Sequence, residues 1–195
     1  VCDKCGVEIT RSIVRRERMG HIELVTPVAH IWFLRSMPSR MALVLGIPGA
    51  DLEKVIYFAG YIVTKVNEDT KKRLLSELES EYKTKHKEAK NDKDRDALKE
   101  RMTLAKAEID SVVVGRVFDE IAYHRFSVKY STLFEAKIGA EAIYEIFRTL
   151  KLEELKEVLE AKYKTAASAE REKLAKRISL IASMIASKVR PEWMF

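Results

Sequence analysis

Two cysteines, no long apolar run and none of the short catalytic signatures are found in this chain of 195 residues. Crossing a bilayer takes about 20 consecutive apolar residues, so a membrane-spanning helix is excluded. No signal-peptide pattern is seen. A Gly-rich phosphate loop, HExxH and GxSxG are all missing, which removes the common nucleotide, metalloprotease and serine-hydrolase chemistries. No acid cluster has the Asp spacing of a magnesium site. The histidines His21, His30, His86 and His124 are scattered and read as strand or surface residues rather than catalytic bases. There is no internal repeat and no low-complexity linker. An autonomous enzyme has no residues behind it.

What cysteine there is stands in one place, Val1-Cys2-Asp3-Lys4-Cys5-Gly6. CxxC followed by Gly is one knuckle of a zinc ribbon, and structural zinc wants four ligands, usually from two such pairs. The expectation is a chain that begins inside a zinc module and belongs to something longer. His21, 16 residues beyond Cys5, is a further candidate ligand, although a site would need two additional ligands to converge. An empty stub is the alternative. CxxC spacing in a basic protein points to a reducing compartment and a metal rather than a disulfide.

The remaining composition is globular, 47% hydrophobic and 34% charged, with a net charge of +6. The basic excess favours a polyanionic partner, while mixed charges equally describe solvated helix. Residues 7–33 read as strand and turn, with alternation in Val7-Glu8-Ile9-Thr10, in His21-Ile22-Glu23-Leu24-Val25 and in Val28-Ala29-His30-Ile31-Trp32-Phe33. Ser39 is a plausible cap for a short helix over 40–45, and Asp51 for another ending at Phe58. Tyr61-Ile62-Val63-Thr64-Lys65-Val66 is β-branched and reads as a strand.

From Asn67 the chain turns highly charged. Leu75, Leu78 and Tyr82 form one narrow apolar stripe; Leu98, Met102, Ala105, Ile109 and Val112 form another. They flank Lys90-Asn91-Asp92-Lys93-Asp94, which predicts an antiparallel helical hairpin. Val112-Val113-Val114 marks the return to a core, with Gly115 as a bend. Helices are expected over 140–150, along Leu152, Leu155 and Leu159, and along Leu174, Ile178, Ile181 and Ile185, with a turn at 165–168 and Pro191 as a stop. The fold class is mainly helical α+β, with short strands near the N-terminus, an antiparallel helical hairpin and a C-terminal helical portion.

The basic candidates are Arg171, Lys173, Lys176 and Arg177, within two turns at the start of a helix, and the isolated Arg35 and Arg40 beside Pro38. They suit sequence-independent contact with phosphates; a solvated helix end is the alternative. The strip Arg15-Arg16-Glu17-Arg18 is undecided between nucleic acid and acidic partners. Trp32, Phe33, Tyr57 and Phe58 read as core rather than base-stacking residues.

Several runs in register carry a resemblance: Cys2-Asp3-Lys4-Cys5-Gly6-Val7-Glu8, Val14-Arg15-Arg16-Glu17-Arg18-Met19-Gly20-His21-Ile22-Glu23-Leu24, Ala29-His30-Ile31-Trp32-Phe33-Leu34, Pro38-Ser39-Arg40, Val55-Ile56-Tyr57-Phe58, Ala136-Lys137-Ile138-Gly139-Ala140-Glu141-Ala142-Ile143 and Pro191-Glu192-Trp193-Met194. Together they closely resemble the N-terminal part of the bacterial RNA polymerase β′ subunit family, over residues 2–66 and 132–194. The resemblance implies that Cys2 and Cys5 are the second pair of a four-cysteine zinc ribbon, and that the segment belongs to the mobile clamp that closes over DNA. It implies that the catalytic magnesium loop, the lid, the rudder and the sigma-docking helical pair lie outside this segment. Arg35 matches a basic position of the family, and 171–177 matches a basic helical region. The implied partners are DNA, the β, α and ω subunits and a sigma factor, in the cytoplasm at the nucleoid. The implied division is 1–10 half ribbon, 11–66 strand-rich clamp portion, 67–125 charged hairpin insertion and 126–195 helical clamp portion. Residues 67–125 depart from the shorter family members, as a solvated spacer or a regulator's contact. A free-standing coiled-coil adaptor, with zinc completed by two chains, is the other reading.

Overall fold

Strand β1, Tyr61–Val66, divides the molecule. The computed structural model describes residues 1–88 and 91–195. β1 pairs antiparallel with β2, Val117–Phe118, on one side and with β3, Phe134–Lys137, on the other, giving the order β2-β1-β3. Successive side chains of a strand point to opposite faces. Ile62 accordingly enters one apolar core and Val63 another, and neither is exposed to solvent.

The larger core lies against Ile62. Short helices α1, Val14–Glu17, and α2, Ile31–Leu34, precede α3, Arg40–Leu45, and α4, Gly49–Ile56. Ser39 caps α3 as its sequence predicts, its Oγ accepting from the Ala42 N–H. Pro48, not Asp51, stands at the start of α4, and Asp51 lies in its first turn, paired with Lys54 at 2.9 Å. Two long helices, α5 at Glu68–Glu88 and α6 at Asp92–Asp110, follow. Helix α7 is Glu120–Lys129; α8, α9 and α10 are Ala140–Thr149, Leu152–Thr165 and Ser168–Ala186. Leu152, Leu159, Leu174 and Ile181 are buried as their spacing requires. A 3-10 turn, Pro191–Met194, ends the chain. Its Met194 is buried, the Phe195 ring meets Tyr144 and Phe147 edge-on, and the Met194 carbonyl accepts the His30 N–H at 2.9 Å.

The smaller core gathers Val63, Ile109, Val112, Phe118, Phe126, Tyr130, Leu133 and Phe134. It roots the hairpin. The Asn67 N–H bonds to the Leu133 carbonyl, and Lys71 Nζ donates to the carbonyls of Asp110 and Val112 at the C-terminal end of α6. Val112 is buried and Gly115 takes φ +88°, as the predicted return and bend require, but Val113 and Val114 of the same run are exposed. Residues 92–94 open α6 and are not part of the turn, while Lys90 of the expected turn lies outside the described residues.

The strand reading of 7–33 is corrected. Among the described residues no strand forms there. Val7, Ile9, Ile22, Leu24 and Val25 are all exposed, with no neighbouring strand to complete a ladder, and alternation without a partner does not hold a sheet. In Ile31–Leu34 the helix wins because His30 Nδ1 accepts the Trp32 N–H, satisfying a free helical donor. Trp32, Tyr57 and Phe58 are not core residues either. Trp32 is 78% and Phe58 71% exposed, because Trp32 stands on the face of α2 turned away from the core that holds Leu34 and Phe58 lies beyond the end of α4.

Candidate nucleic-acid interface

Cys2 and Cys5 sit on a tight turn. The Gly6 N–H bonds to the Cys2 carbonyl at 2.9 Å, the Cys2 N–H bonds to the Val7 carbonyl at 2.8 Å, and Gly6 takes φ +66°. Backbone N–H groups of Lys4, then of Cys5, lower the Cys2 thiol below its ordinary pKa. A thiol poised toward thiolate suits a metal ligand. The two sulfurs fit half of a tetrahedral set and no more: no group of three or more His, Cys, Asp or Glu able to hold a metal occurs among the described residues. His21 does not join them; its Nε2 lies 3.7 Å from Glu23.

The basic candidates fall in two places. Arg35, at the end of α2, faces Glu53 at 3.3 Å and lies over the Tyr57 ring. Arg171, Lys173 and Lys176 line the exposed start of α10. Arg171 lies over the Tyr163 ring and reaches the Lys164 carbonyl at 3.4 Å, so the basic end of α10 adjoins the last turn of α9. Lys176 donates to Glu172 at 2.7 Å, and Lys173 is solvated. The last turn of α9 adds Lys162 and Lys164, which sequence reasoning missed; Lys-x-Lys just before the next helix start was the available signal.

Arg177 is different from its neighbours. It is half-buried, and its Nε donates to the Leu43 carbonyl at 2.7 Å and its Nη2 to the Val44 carbonyl at 3.1 Å. Burial lowers its pKa. It does not stand in solvent with Arg171, Lys173 and Lys176, because the final carbonyls of α3 lack intrahelical partners and a guanidinium fork satisfies them. This contact seats α10 beside the loop that carries Arg35. Two open grooves flank that loop. One, of about 650 Å³, is lined by Arg35, Ser36, Pro38, Leu43 and Glu53 among others. The other, of about 660 Å³, is lined by Pro38, Leu43, Glu172, Lys176, Ser179 and Ser183.

The architecture is a mainly helical body with a small antiparallel sheet, a cysteine knuckle and cations at the start of one helix. The RNA polymerase Rpb1 domain 1 family matches residues 1–195, and the chain belongs to that family. It is similar over its whole length to the β′ subunits of DNA-directed RNA polymerase from Dehalococcoides mccartyi, 32% identical over 220 aligned residues, and Fusobacterium nucleatum, 38% over 195. The counterpart from Caldanaerobacter subterraneus is 38% identical over 196 residues. The chain spans 17%, 12% and 13% of the length of these three relatives. It corresponds to the N-terminal region of β′. No helix among the described residues is long and apolar enough to cross a membrane.

Proposed function

We propose that this chain is a portion of the RNA polymerase clamp that holds DNA by its phosphate backbone during DNA-templated RNA synthesis, without carrying the chemistry itself. Family membership supports the setting. The observation that carries the contact is the exposed basic tip formed by Arg171, Lys173 and Lys176 at the start of α10. Lysine and arginine on phosphates release counterions and do not read bases. Arg35 contributes from the other side of the Pro38 loop. The body acts by position: swinging it as a unit opens or closes a channel, a hinge motion and not a bond-making step.

In the whole enzyme the partners on this reading are DNA, the β, α and ω subunits and sigma factor, in the cytoplasm. The catalytic magnesium is held by another part of the polymerase. Cys2 and Cys5 would hold zinc with two further thiolates, and the metal would fix the turn. We assign 1–10 to the half ribbon, 11–66 and 126–195 to the clamp body, and 67–125 to an inserted charged helical hairpin rooted in the smaller core.

The test is fluorescence anisotropy of labelled duplexes of unrelated sequence, titrated with the chain across a salt series. The expected result is sequence-blind binding that weakens steeply with salt. Replacing Arg171, Lys173 and Lys176 together by Gln should flatten the log–log slope by up to about 2.7, at about 0.9 per phosphate contact. An unchanged slope in that variant, or no binding at low salt, would overturn the assignment.

A further inference from the structure

We infer that Arg177 is a positioning residue for DNA rather than a contact: it locks α10 against the end of α3, so that the cations of α10 and Arg35 act as one backbone-binding surface. The inference rests on the DNA reading above.

Three observations carry it. First, the guanidinium faces inward. Its Nε and Nη2 are committed to the carbonyls of Leu43 and Val44, 134 and 133 residues earlier in the chain. Two of its five N–H donors are taken there, so the direction of the guanidinium is set by the end of α3 and not by solvent. Second, the fold makes room for it. Gly46 ends α3 at φ +77°, and a Cβ there would come within 2.5 Å of the Arg177 guanidinium. The left-handed conformation favours Gly at this point, and a Cβ would push the guanidinium aside. Third, the contact stands at the join of the two grooves. Leu43, whose carbonyl accepts from Nε, lines both, together with Pro38. Arg35 lies in one groove and Lys176 in the other, one residue from Arg177. The DNA backbone is a regular array of charges, and two cation groups held at a set separation engage it together at a lower ordering cost than two free ones.

The experiment compares the chain with Arg177→Lys, Arg177→Ala and Gly46→Ala in the duplex titration, with helicity measured by circular dichroism. Arg177→Lys keeps the charge and loses the fork. Gly46→Ala keeps Arg177 and displaces it. Positioning predicts that all three weaken binding about tenfold and flatten the salt slope by about 1.8 or more, the equivalent of two contacts, and that Lys fails to rescue. Wild-type affinity and slope in Arg177→Lys would overturn the inference in favour of a simple charge contact. Wild-type binding by Arg177→Ala would overturn it in favour of no role in DNA binding. If Arg177→Ala loses its helicity, Arg177→Lys alone decides between these outcomes. A wild-type chain that binds no duplex would instead defeat the underlying DNA reading.

Discussion

Gly139→Ala should be among the most damaging of single-methyl substitutions in this molecule. Gly139 lies between β3 and α8 with φ +87° and ψ 177°, a region open essentially to glycine alone. Forcing Ala there costs about 1–3 kcal/mol in backbone strain. The new Cβ would also come within 2.8 Å of Phe58 Cε1 and 3.3 Å of Cζ. Phe58 itself stands at φ +62°. The ring is mostly solvated and can give, which limits that part to about 1 kcal/mol, the scale of an off-rotamer side chain. The sum is about 3 kcal/mol, or about 6–12 °C in melting temperature for a chain of this size. Turn and packing are linked here, because the Gly139 N–H also bonds to the Val55 carbonyl at 2.9 Å, joining α8 to the end of α4. Urea unfolding followed by circular dichroism would measure the loss. Gly6→Ala is the control: it too is strained, at φ +66°, but its Cβ would meet nothing within 4 Å and its turn lies outside both cores, so the strain can be relieved there without loosening either. It should leave global stability within about 0.5 kcal/mol. Phe58→Ala should relieve the ring contact while leaving the backbone strain, so Gly139→Ala should cost less in that background. Equal effects of the substitution at Gly6 and Gly139 would refute the reasoning.

Three further outcomes are expected. Glu172→Gln frees Lys176 from its 2.7 Å partner and removes a carboxylate from the groove, so duplex affinity should rise by about two- to fivefold at low salt, and an unchanged or weaker affinity would count against the groove. The Lys129 ammonium holds the Glu108 carboxyl below its ordinary pKa, and Glu108 holds Lys129 above its own. The Glu108 share of stability is present above about pH 4.3 and is lost as pH falls through the lowered folded value, and the Lys129 share is lost as pH rises through the raised value beyond about 10.4. Both groups are partly solvated, so Glu108→Gln should reduce the acid sensitivity of unfolding by no more than about 1 kcal/mol. Finally, replacing 72–106 with a short Gly-Ser linker should leave duplex affinity unchanged within about twofold, since the candidate cations lie on α2 and α10; a large loss would give the hairpin a part in DNA binding.

Helical periodicity was the most legible feature of the sequence. Leu174 and Ile181, or Leu152 and Leu159, fall on buried faces because a long helix averages over many side chains and needs only one covered stripe. β1 was legible for a related reason, as a β-branched run that is central in its sheet. β2 has two residues and β3 four, too short for a period to be read. The failure at 7–33 is instructive: alternation there is real, but alternation describes a face and does not supply the strand to pair with it. Trp32 and Phe58 failed similarly, since apolar neighbours in sequence do not guarantee a cover in space. At the candidate interface the cluster was visible but its division was not. Arg171, Lys173, Lys176 and Arg177 look alike along the chain, and only the end of α3, more than 130 residues away, turns one of them inward.

The placement of Ile62 and Val63 has a consequence for how the molecule comes apart. Consecutive residues of β1, and likewise Val117 and Phe118 of β2, belong to two different cores, so the sheet itself is shared by both. Loosening either core strips one face of β1 and weakens the grip on the other. The two halves should therefore melt as one cooperative unit rather than as independent foldons. The amides of Ile62 and Val63 should be among the last to exchange with solvent, and force applied to either half should be transmitted across the sheet instead of being absorbed by it.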